Sequence, residues 1–389
     1  MISVYEALQI VFQQSIAATI TEASIINAEG HVLAEDVHAP ISLPPFQQSA
    51  MDGFAVKLTS EENYKIVGCV QAGDISDIIL KEGEAVRIYT GAKVPFSADA
   101  VLMMEHVVEK NGYIKQARPY TGKTNIKLAG EQVKKGDLAI PKNTLLNSSA
   151  LAYATALGLD RIKVYKCPDV ALLITGNEVQ PPGDKLEGGK IYDSNSIMLQ
   201  LLLRKLGIKT IRCFFVSDEM DDTLHKLKEA IENYDILIAS GGISVGDYDL
   251  MQRAFETLEV TQHFYKINQK PGKPIYFGTK EKTIVFGLPG NPAACFINFQ
   301  VYVVAAIQKA MNCKERGFKK AVLKESIENS SGKSLFLRGN KTVDGIEIHK
   351  NQSSSMLVSL IKTDVLVYVP ADTACIEKGK EVLYLDILQ

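Results

Sequence analysis

The sequence predicts a multidomain α/β fold, and three observations support this prediction. With 389 residues, the chain exceeds one ordinary core and suits two or three domains. Between residues 41 and 137, short apolar runs are broken by Gly, Pro, Asp and Asn, which is typical of a β-rich module. From about residue 166, strand patterns alternate with helical ones. That alternation predicts a mainly parallel sheet in a three-layer arrangement, with helices on both faces.

Composition and charge exclude several classes of protein. The chain is 46% hydrophobic and 23% charged, as in ordinary soluble proteins, and its net charge of −2 argues against a general nucleic-acid or membrane-surface binder. The six cysteines form no C-x-x-C pair, so we expect neither a disulfide framework nor structural zinc. The N-terminus lacks a signal-peptide pattern, and the most apolar run, 301–307, is too short to span a bilayer. A cytoplasmic location is therefore expected.

Local signals predict the individual elements. Ser3 and Glu6 form a capping box that starts the first helix, and Asn147 caps a helix that ends at Gly158. Beyond residue 317, short alternating strands such as 365–369 and 382–385 indicate a small C-terminal β-barrel. The α/β region is predicted to contain strands at 170–174, 208–216, 236–239 and 283–286, and helices at 195–205, 223–232, 249–258 and 292–311.

Three polar loops follow predicted strands of the α/β region. Ligands bind outside the carboxyl ends of such strands, so the loops 175–178, 240–249 and 287–292 are candidate binding elements. The second loop has the composition of an anion cradle, with glycines and serine hydroxyls followed by Asp247 and Asp249, which suit Mg²⁺. Taken singly, the second loop is also compatible with a tight turn and a helix cap, and the third with a strand-to-helix connector.

A lysine-rich segment is the fourth candidate. Lys266, Lys270 and Lys273 lie close together in a stretch stiffened by Pro271 and Pro274, an arrangement suited to a compact oxyanion. A solvated surface loop is the alternative. The motifs G-x-x-x-x-G-K-[ST] and G-x-G-x-x-G are absent from the sequence, which disfavours P-loop ATPases and Rossmann dehydrogenases.

Six motifs then occur in a characteristic order along the chain. They are Ser49-Ala50-Met51-Asp52-Gly53-Phe54-Ala55, Tyr89-Thr90-Gly91-Ala92, Thr175-Gly176-Asn177-Glu178, Ser240-Gly241-Gly242-Ile243-Ser244-Val245-Gly246-Asp247, Lys270-Pro271-Gly272-Lys273-Pro274 and Gly287-Leu288-Pro289-Gly290-Asn291-Pro292. This ordered set resembles the molybdenum insertases, the molybdopterin molybdenumtransferases related to the E domain of gephyrin. The resemblance spans essentially the whole chain.

The resemblance implies four domains and a reaction. The domains are an elongated helical dimerisation domain (1–40 and 138–166), an inserted β-rich domain (41–137), an α/β molybdopterin-binding domain (167–314) and a C-terminal β-barrel (315–389). The implied enzyme is a cytoplasmic homodimer whose cleft is completed by the second subunit. It takes adenylylated molybdopterin and molybdate as substrates, uses Mg²⁺ and releases AMP, and a molybdopterin adenylyltransferase is the implied partner.

Family roles transfer to matching positions. The implied catalytic residues are Asp52, Glu178, Asp249, Lys266 and Lys270. Asp247 and Asp249 are the candidate metal ligands on chemical grounds, and positioning of water is the alternative role for these carboxylates. The implied substrate-binding residues are Thr90, Thr175, Gly176, Asp218, Ser240, Gly241, Gly242, Ser244, Gly246, Lys273, Pro289, Asn291, Pro292, Arg338 and Ser354.

One position departs from the family pattern. Gly130-Glu131-Gln132 stands where members usually carry Gly-x-Asp, so either Glu131 supplies that carboxylate or the activity is weakened. A non-catalytic molybdopterin-binding scaffold is therefore one alternative. A molybdopterin adenylyltransferase is another, since the two enzyme families share the α/β domain.

Overall fold

The computed structural model describes residues 1–75, 78–118, 122, 124–217, 219–242 and 250–388. The chain falls into two compact units. The larger comprises Met1–Glu22, Ala28–Ala34 and Lys163–Gln389, and the smaller comprises Ala23–Asn27 and Glu35–Ile162. The division into four domains is finer than this partition and stays a prediction.

The helices and strands of the two units follow in chain order. The helices are α1 (Val4–Gln14), α2 (Ser148–Ala156), α3 (Asn195–Lys205), α4 (Met220–Asn233), α5 (Leu250–Thr257), α6 (Pro292–Asn298) and α7 (Val304–Ala310), with a π-helical segment at Phe299–Val303 and 3-10 turns at Ile25–Asn27, Met104–His106 and Val358–Lys362. The strands are β1 (Ile20–Ser24), β2 (Val37–His38), β3 (Gln48–Ser49), β4 (Gly53–Val56), β5 (Asn63–Val70), β6 (Glu84–Ile88), β7 (Ala100–Met103), β8 (Val107–Lys110), β9 (Tyr113–Gln116), β10 (Ile126–Lys127), β11 (Leu138–Ile140), β12 (Arg161–Tyr165), β13 (Val170–Thr175), β14 (Val179–Gln180), β15 (Ile191–Tyr192), β16 (Ile211–Val216), β17 (Ile236–Ser240), β18 (Thr261–Lys266), β19 (Gln269–Lys270), β20 (Pro274–Lys280), β21 (Thr283–Leu288), β22 (Lys319–Val322), β23 (Ile327–Glu328), β24 (Ser334–Thr342), β25 (Gly345–Ile348), β26 (Val365–Val369), β27 (Cys375–Ile376) and β28 (Glu381–Asp386).

The predicted helix caps are present. The Ser3 hydroxyl accepts a hydrogen bond from the Glu6 amide at 3.2 Å, and the Glu6 carboxylate accepts one from the Ser3 amide at 2.6 Å. The Asn147 side chain caps α2 by accepting from the Ala150 amide, and Gly158 follows that helix with φ of 87°. Because each contact satisfies a backbone group that the helix leaves free, these local signals fix the helix ends.

The smaller unit contains a six-stranded sheet in the order β7-β4-β6-β5-β9-β8. Its strand pairs are antiparallel except β5 with β6, which is parallel. This sheet confirms the β-rich character predicted for residues 41–137. Gly53, the first residue of β4, lies against the Leu102 carbonyl so closely that a Cβ there would clash with it.

The larger unit is built on a mixed sheet in the order β16-β13-β17-β21-β20-β18. The first four strands are parallel, and β20 and β18 extend the sheet antiparallel. One face packs against α1, α3, α6 and α7, and the other against α4 and α5. The mainly parallel, three-layer prediction is confirmed for this core. The antiparallel edge is an addition that the sequence analysis missed.

A second sheet of the larger unit runs in the order β19-β24-β26-β28-β22, with β25 also paired to β24. Its strand β19 comes from the lysine-rich segment and pairs in parallel with the start of β24. The predicted β-rich C-terminal region is therefore present, while its closure into a barrel stays a prediction.

The helical run Pro292–Ala310 meets the length and hydropathy of a membrane-crossing helix, with a mean hydropathy of 1.3. However, 83% of its apolar window is buried inside the protein, as in the core helix of an α/β fold. The run is longer than the 301–307 stretch judged too short to span a bilayer, and it corresponds to the helix predicted at 292–311.

Candidate active-site cleft

A cleft of about 590 Å³ opens at the carboxyl ends of the parallel strands in the larger unit. Polar loops that follow three parallel strands, together with the N-terminal turn of α3, form its walls, as expected for a ligand site in an α/β sheet. Eight of the predicted site residues line it: Thr175, Glu178, Ser240, Gly241, Gly242, Pro289, Asn291 and Pro292.

The glycine-containing turn after β17 packs directly on the end of β13. Gly241 has φ of 95°, and a Cβ there would lie 2.8 Å from both the carbonyl and the hydroxyl oxygen of Thr175. A side chain at Gly241 would therefore be strained in conformation and would overlap its neighbour. The Thr175 hydroxyl is buried, and its Oγ1 has no hydrogen-bond partner in the part of the chain that the structure describes.

Asn195, at the first turn of α3, connects two of the cleft loops. Its Nδ2 donates to the Ser240 hydroxyl at 3.0 Å and to the Gly290 carbonyl at 2.9 Å. Because a carbonyl only accepts, the Gly290 contact fixes which end of the amide is Nδ2. Burial raises the pKa of the neighbouring Cys295 thiol to about 12, so this cysteine is neutral and unreactive at physiological pH.

The N-terminus of α6 is already capped by the C-terminal region. The amides of Ala293 and Ala294 donate to the carbonyl of Ser354 at 3.0 and 3.2 Å. Two N–H groups at the start of α6 are therefore engaged within the protein. The next residue, Ser355, lines the cleft, so the C-terminal region completes its wall.

Arg338 holds the loop that carries Ser354. Its guanidinium is fully buried and donates to the Gln352 side chain and to the carbonyls of Asn351, Ser353 and Met356 at 3.0–3.4 Å. Burial lowers the pKa of this guanidinium from its ordinary value. These acceptors are all neutral, and Arg338 is not among the residues that line the cleft, so the side chain shapes the loop from below.

The lysine-rich segment joins the two sheets of the larger unit. The Ile267 amide donates to the Lys273 carbonyl at 3.0 Å, which closes the loop. Pro274 lines the cleft, whereas Lys266, Lys270 and Lys273 are not among its lining residues. The Lys266 ammonium lies over the Tyr265 ring, 5.1 Å from its centroid.

Asp52 and Thr90 form a separate pair in the smaller unit. The Asp52 carboxylate accepts from the Thr90 amide and hydroxyl, both at 2.7 Å. These hydrogen bonds, the backbone one first, hold the pKa of Asp52 below its ordinary value. Both residues are exposed, so the carboxylate is anionic and open to solvent.

The remaining predicted residues have different placements. Gly176 lines a smaller adjoining pocket of about 270 Å³. The Glu178 carboxylate packs against Gly176, where a Cβ would lie 2.6 Å from Oε2. Five predicted residues lie outside the described residues: Asp218, Ser244, Gly246, Asp247 and Asp249.

The sequence analysis missed several lining residues. Tyr192, Asp193 and Asn195 line the cleft between β15 and α3. The Asp193 carboxylate accepts from the Ser196 amide at 3.0 Å and from its hydroxyl, which caps the helix. The available signal was the polar run from Asp193 to Ser196 directly before a helical pattern, which marks a helix start at the binding edge of the sheet.

Comparisons with known proteins define the class of this α/β protein. Three family profiles match in order: "MoeA N-terminal region (domain I and II)" over residues 2–158, "Probable molybdopterin binding domain" over 171–309 and "MoeA C-terminal region (domain IV)" over 320–387. The structure is similar to the molybdopterin biosynthesis MoeA protein of Pyrococcus horikoshii, with a TM-score of 0.82, 31% identity and full coverage of both chains.

Curated relatives specify the family. The molybdopterin molybdenumtransferase of Staphylococcus aureus strain Mu50 is 33% identical, covering 98% of this chain and 94% of its own length. The enzyme of the same name from Staphylococcus epidermidis strain RP62A is 30% identical, covering 97% and 94%. The chain belongs to the molybdopterin molybdenumtransferase family. The resemblance read from the six motifs is confirmed.

Proposed function

We propose that the protein inserts molybdenum from molybdate into adenylylated molybdopterin and releases AMP. The observation that supports this most directly is the convergence of three glycine-, serine- and proline-containing loops and the start of α3 on one cleft of about 590 Å³. A cleft of this size accommodates a pterin or a nucleotide portion of such a substrate. Membership of the transferase family supplies the reaction class.

The proposed reaction brings several negative charges of its two substrates close together. Molybdate is a dianion, and a pyrophosphate-linked substrate carries further charge, so positive groups must offset their repulsion. We assign this role to Lys266, Lys270 and Lys273. Among the described residues, none of their ammonium groups pairs with a carboxylate, so their charge stays available.

The glycine turn and Ser240 bind the substrate in this proposal. Gly241 and Gly242 let a ligand approach the backbone closely, and the Ser240 hydroxyl is held in place by Asn195. Glu178 supplies a carboxylate at the cleft. Arg338 acts through the loop that places Ser354 and Ser355.

Mg²⁺ belongs to the proposal as the cation that neutralises phosphate oxygens. The described residues contain no group of three His, Cys, Asp or Glu side chains able to hold a metal ion. Two described carboxylates line the cleft, Asp193 and Glu178. Asp193 is hydrogen-bonded to Ser196, which leaves Glu178 as the carboxylate able to bind a cation. The described part thus supplies one oxygen ligand, and the fit depends on Asp247 and Asp249.

The finer architecture is also part of the proposal. It comprises the four domains with an elongated helical domain and a C-terminal barrel, a cytoplasmic location, a homodimer and an adenylyltransferase partner that delivers the substrate. A shared site is testable by mixing two inactive homodimers, Asp52→Asn and Glu178→Gln, under conditions of subunit exchange. If each cleft draws these residues from different subunits, the mixture regains activity. If both come from one subunit, it stays inactive.

The central experiment incubates the purified protein with adenylylated molybdopterin, Mg²⁺ and micromolar molybdate. We expect molybdate-dependent AMP release and molybdenum bound to the pterin product. Pterin that binds without molybdate-dependent AMP release would establish a scaffold instead. ATP consumption with metal-free molybdopterin would establish an adenylyltransferase.

A further inference from the structure

Three fully buried polar side chains lie beneath the lysine-rich loop: Gln269, Asn298 and Tyr302. We refer to these three residues as the amide–phenol network. Gln269 belongs to the loop itself, in β19, whereas Asn298 ends α6 and Tyr302 lies in the π-helical segment that follows. The network therefore connects the loop to the core helix of the larger unit.

The network bonds the backbone of the loop at successive positions. Gln269 Nε2 donates to the carbonyls of Pro271 and Gly272 at 3.0 and 3.3 Å and to Asn298 Oδ1 at 2.8 Å. Asn298 Nδ2 donates to the carbonyls of Gly272 and Pro274 at 3.2 and 3.5 Å. The Tyr302 hydroxyl donates to Gln269 Oε1. Since carbonyls only accept, these contacts fix the orientation of both amides.

Such a network is costly unless every member is paired. A buried polar group without a partner costs about 1–3 kcal/mol, so three paired groups in one core favour a single arrangement. Gly272 has φ of 78°, and a Cβ there would clash with the Asn298 amide. The loop backbone therefore rests directly on the network and has no space to shift toward it.

Lys270 and Lys273 are the two lysines whose backbone positions the network can set. Lys270 immediately follows Gln269, and Lys273 immediately follows Gly272. The network therefore holds the backbone directly beside both lysines. Lys270 is exposed and Lys273 is half-buried. A lysine side chain is flexible, so the position of its backbone determines which volume the ammonium group samples.

We propose that the amide–phenol network is the positioning device of the lysine loop: it sets the place of Lys270 for binding the molybdate oxyanion without touching the substrate. This inference rests on the proposed function, in which Lys270 offsets the charge of molybdate. The network makes no charge of its own available, so its effect passes through the lysine.

A double-mutant cycle tests this coupling. Tyr302→Phe removes the hydroxyl alone and leaves Gln269 Oε1 without its donor. We expect the dissociation constant for molybdate, measured by equilibrium dialysis on the full-length protein, to rise about fivefold. Lys270→Ala raises it further, and adding Tyr302→Phe to Lys270→Ala changes it by less than about twofold. In turnover, Tyr302→Phe raises the KM for molybdate and leaves kcat nearly unchanged.

Tyr276→Phe is the matched control. Tyr276 is similarly buried but packs against Phe255 on the opposite face of the sheet. It loses one buried hydroxyl without touching the network, and molybdate affinity should keep its wild-type value. If Tyr302→Phe does not fold, Asn298→Ser enters the same cycle.

Three outcomes overturn the inference, and the third is distinguishable from the first two. Independent, multiplicative effects of Tyr302→Phe and Lys270→Ala mean that the network does not act through the lysine. A Tyr302→Phe affinity equal to that of Tyr276→Phe leads to the same conclusion. By contrast, unchanged molybdate affinity in Lys270→Ala removes the proposed role of Lys270 itself, and the inference falls with it.

Discussion

Asp52 and Thr90 show how two hydrogen bonds set the charge of a single exposed residue. Thr90→Val removes the hydroxyl donor but keeps the amide donor, which is the larger cause of the lowered pKa. We expect the pKa of Asp52 to rise part of the way toward 3.8, so the anion is lost at a higher pH as the solution is acidified. NMR titration of the side-chain carboxyl carbon measures the change. Thr90→Ser, which keeps the hydroxyl, should titrate like the wild type.

Replacing Arg338 should lower stability, because its guanidinium is fully buried and bonded to the loop 351–356. Arg338→Met removes a fully buried guanidinium and its part-buried hydrogen bonds to the carbonyls of Asn351 and Ser353. We expect the free energy of unfolding in urea to fall by about 2–4 kcal/mol. Arg253→Met, at an exposed position on α5, is the control and should change it by less than about 0.5 kcal/mol. An equal effect of the two variants would contradict the structural role of Arg338.

At the scale of elements, local signals predicted helices better than sheet edges. The helix at 195–205 matches α3 at both ends because its start and stop are marked by Asp193 to Ser196 and by Gly207. The strands β18 and β20 were missed because neither buries every second residue, so their sequences lack the alternation of a half-buried strand. The π-helical segment was missed because the 292–311 pattern is that of an ordinary apolar helix.

The sequence predicted the loops of the candidate site but not the side chains that hold them. Loops that leave parallel strands converge by topology, so Thr175, Ser240 and Asn291 were recognised as neighbours before any coordinates. Asn195 and the cap formed by Ser354 depend on how side chains and a distant loop fit against those strands. The polar run from Asp193 to Ser196 marks the start of α3, but the contacts of Asn195 and Ser354 are not encoded in any spacing.

Asn195 should stabilise the two cleft loops that it connects. Asn195→Ala removes the bonds to Ser240 and Gly290, and we expect faster amide hydrogen exchange in the loops around 241 and 290 together with a loss of about 1–2 kcal/mol in stability. Mass spectrometry of exchanged peptides measures the loops. Ile197→Ala shortens a half-exposed side chain on the same helix and should leave both loops protected. Unchanged exchange in Asn195→Ala would mean that the loops are held by other contacts.

At the scale of the whole molecule, thiol reactivity should report the fold. Cys69 and Cys375 are exposed, whereas Cys295 is fully buried and burial raises the pKa of Cys167 to about 11. Reactivity requires the accessible thiolate, so a maleimide at pH 7 should label Cys69 and Cys375 first. Peptide mass spectrometry identifies the labelled sites, and denatured protein should label at all six. Early labelling of Cys295 in the native protein would contradict the packed core.

The pairing of β19 with β24 has a consequence for exchanging parts between relatives. The segment 269–270 pairs with 334–335. A loop of the α/β region is therefore the edge strand of the C-terminal sheet. A chimera that swaps only the residues after 314 would therefore pair a foreign strand with a resident loop. Grafts that carry 267–273 along with the terminal region should give soluble hybrids more often than grafts cut at the apparent boundary.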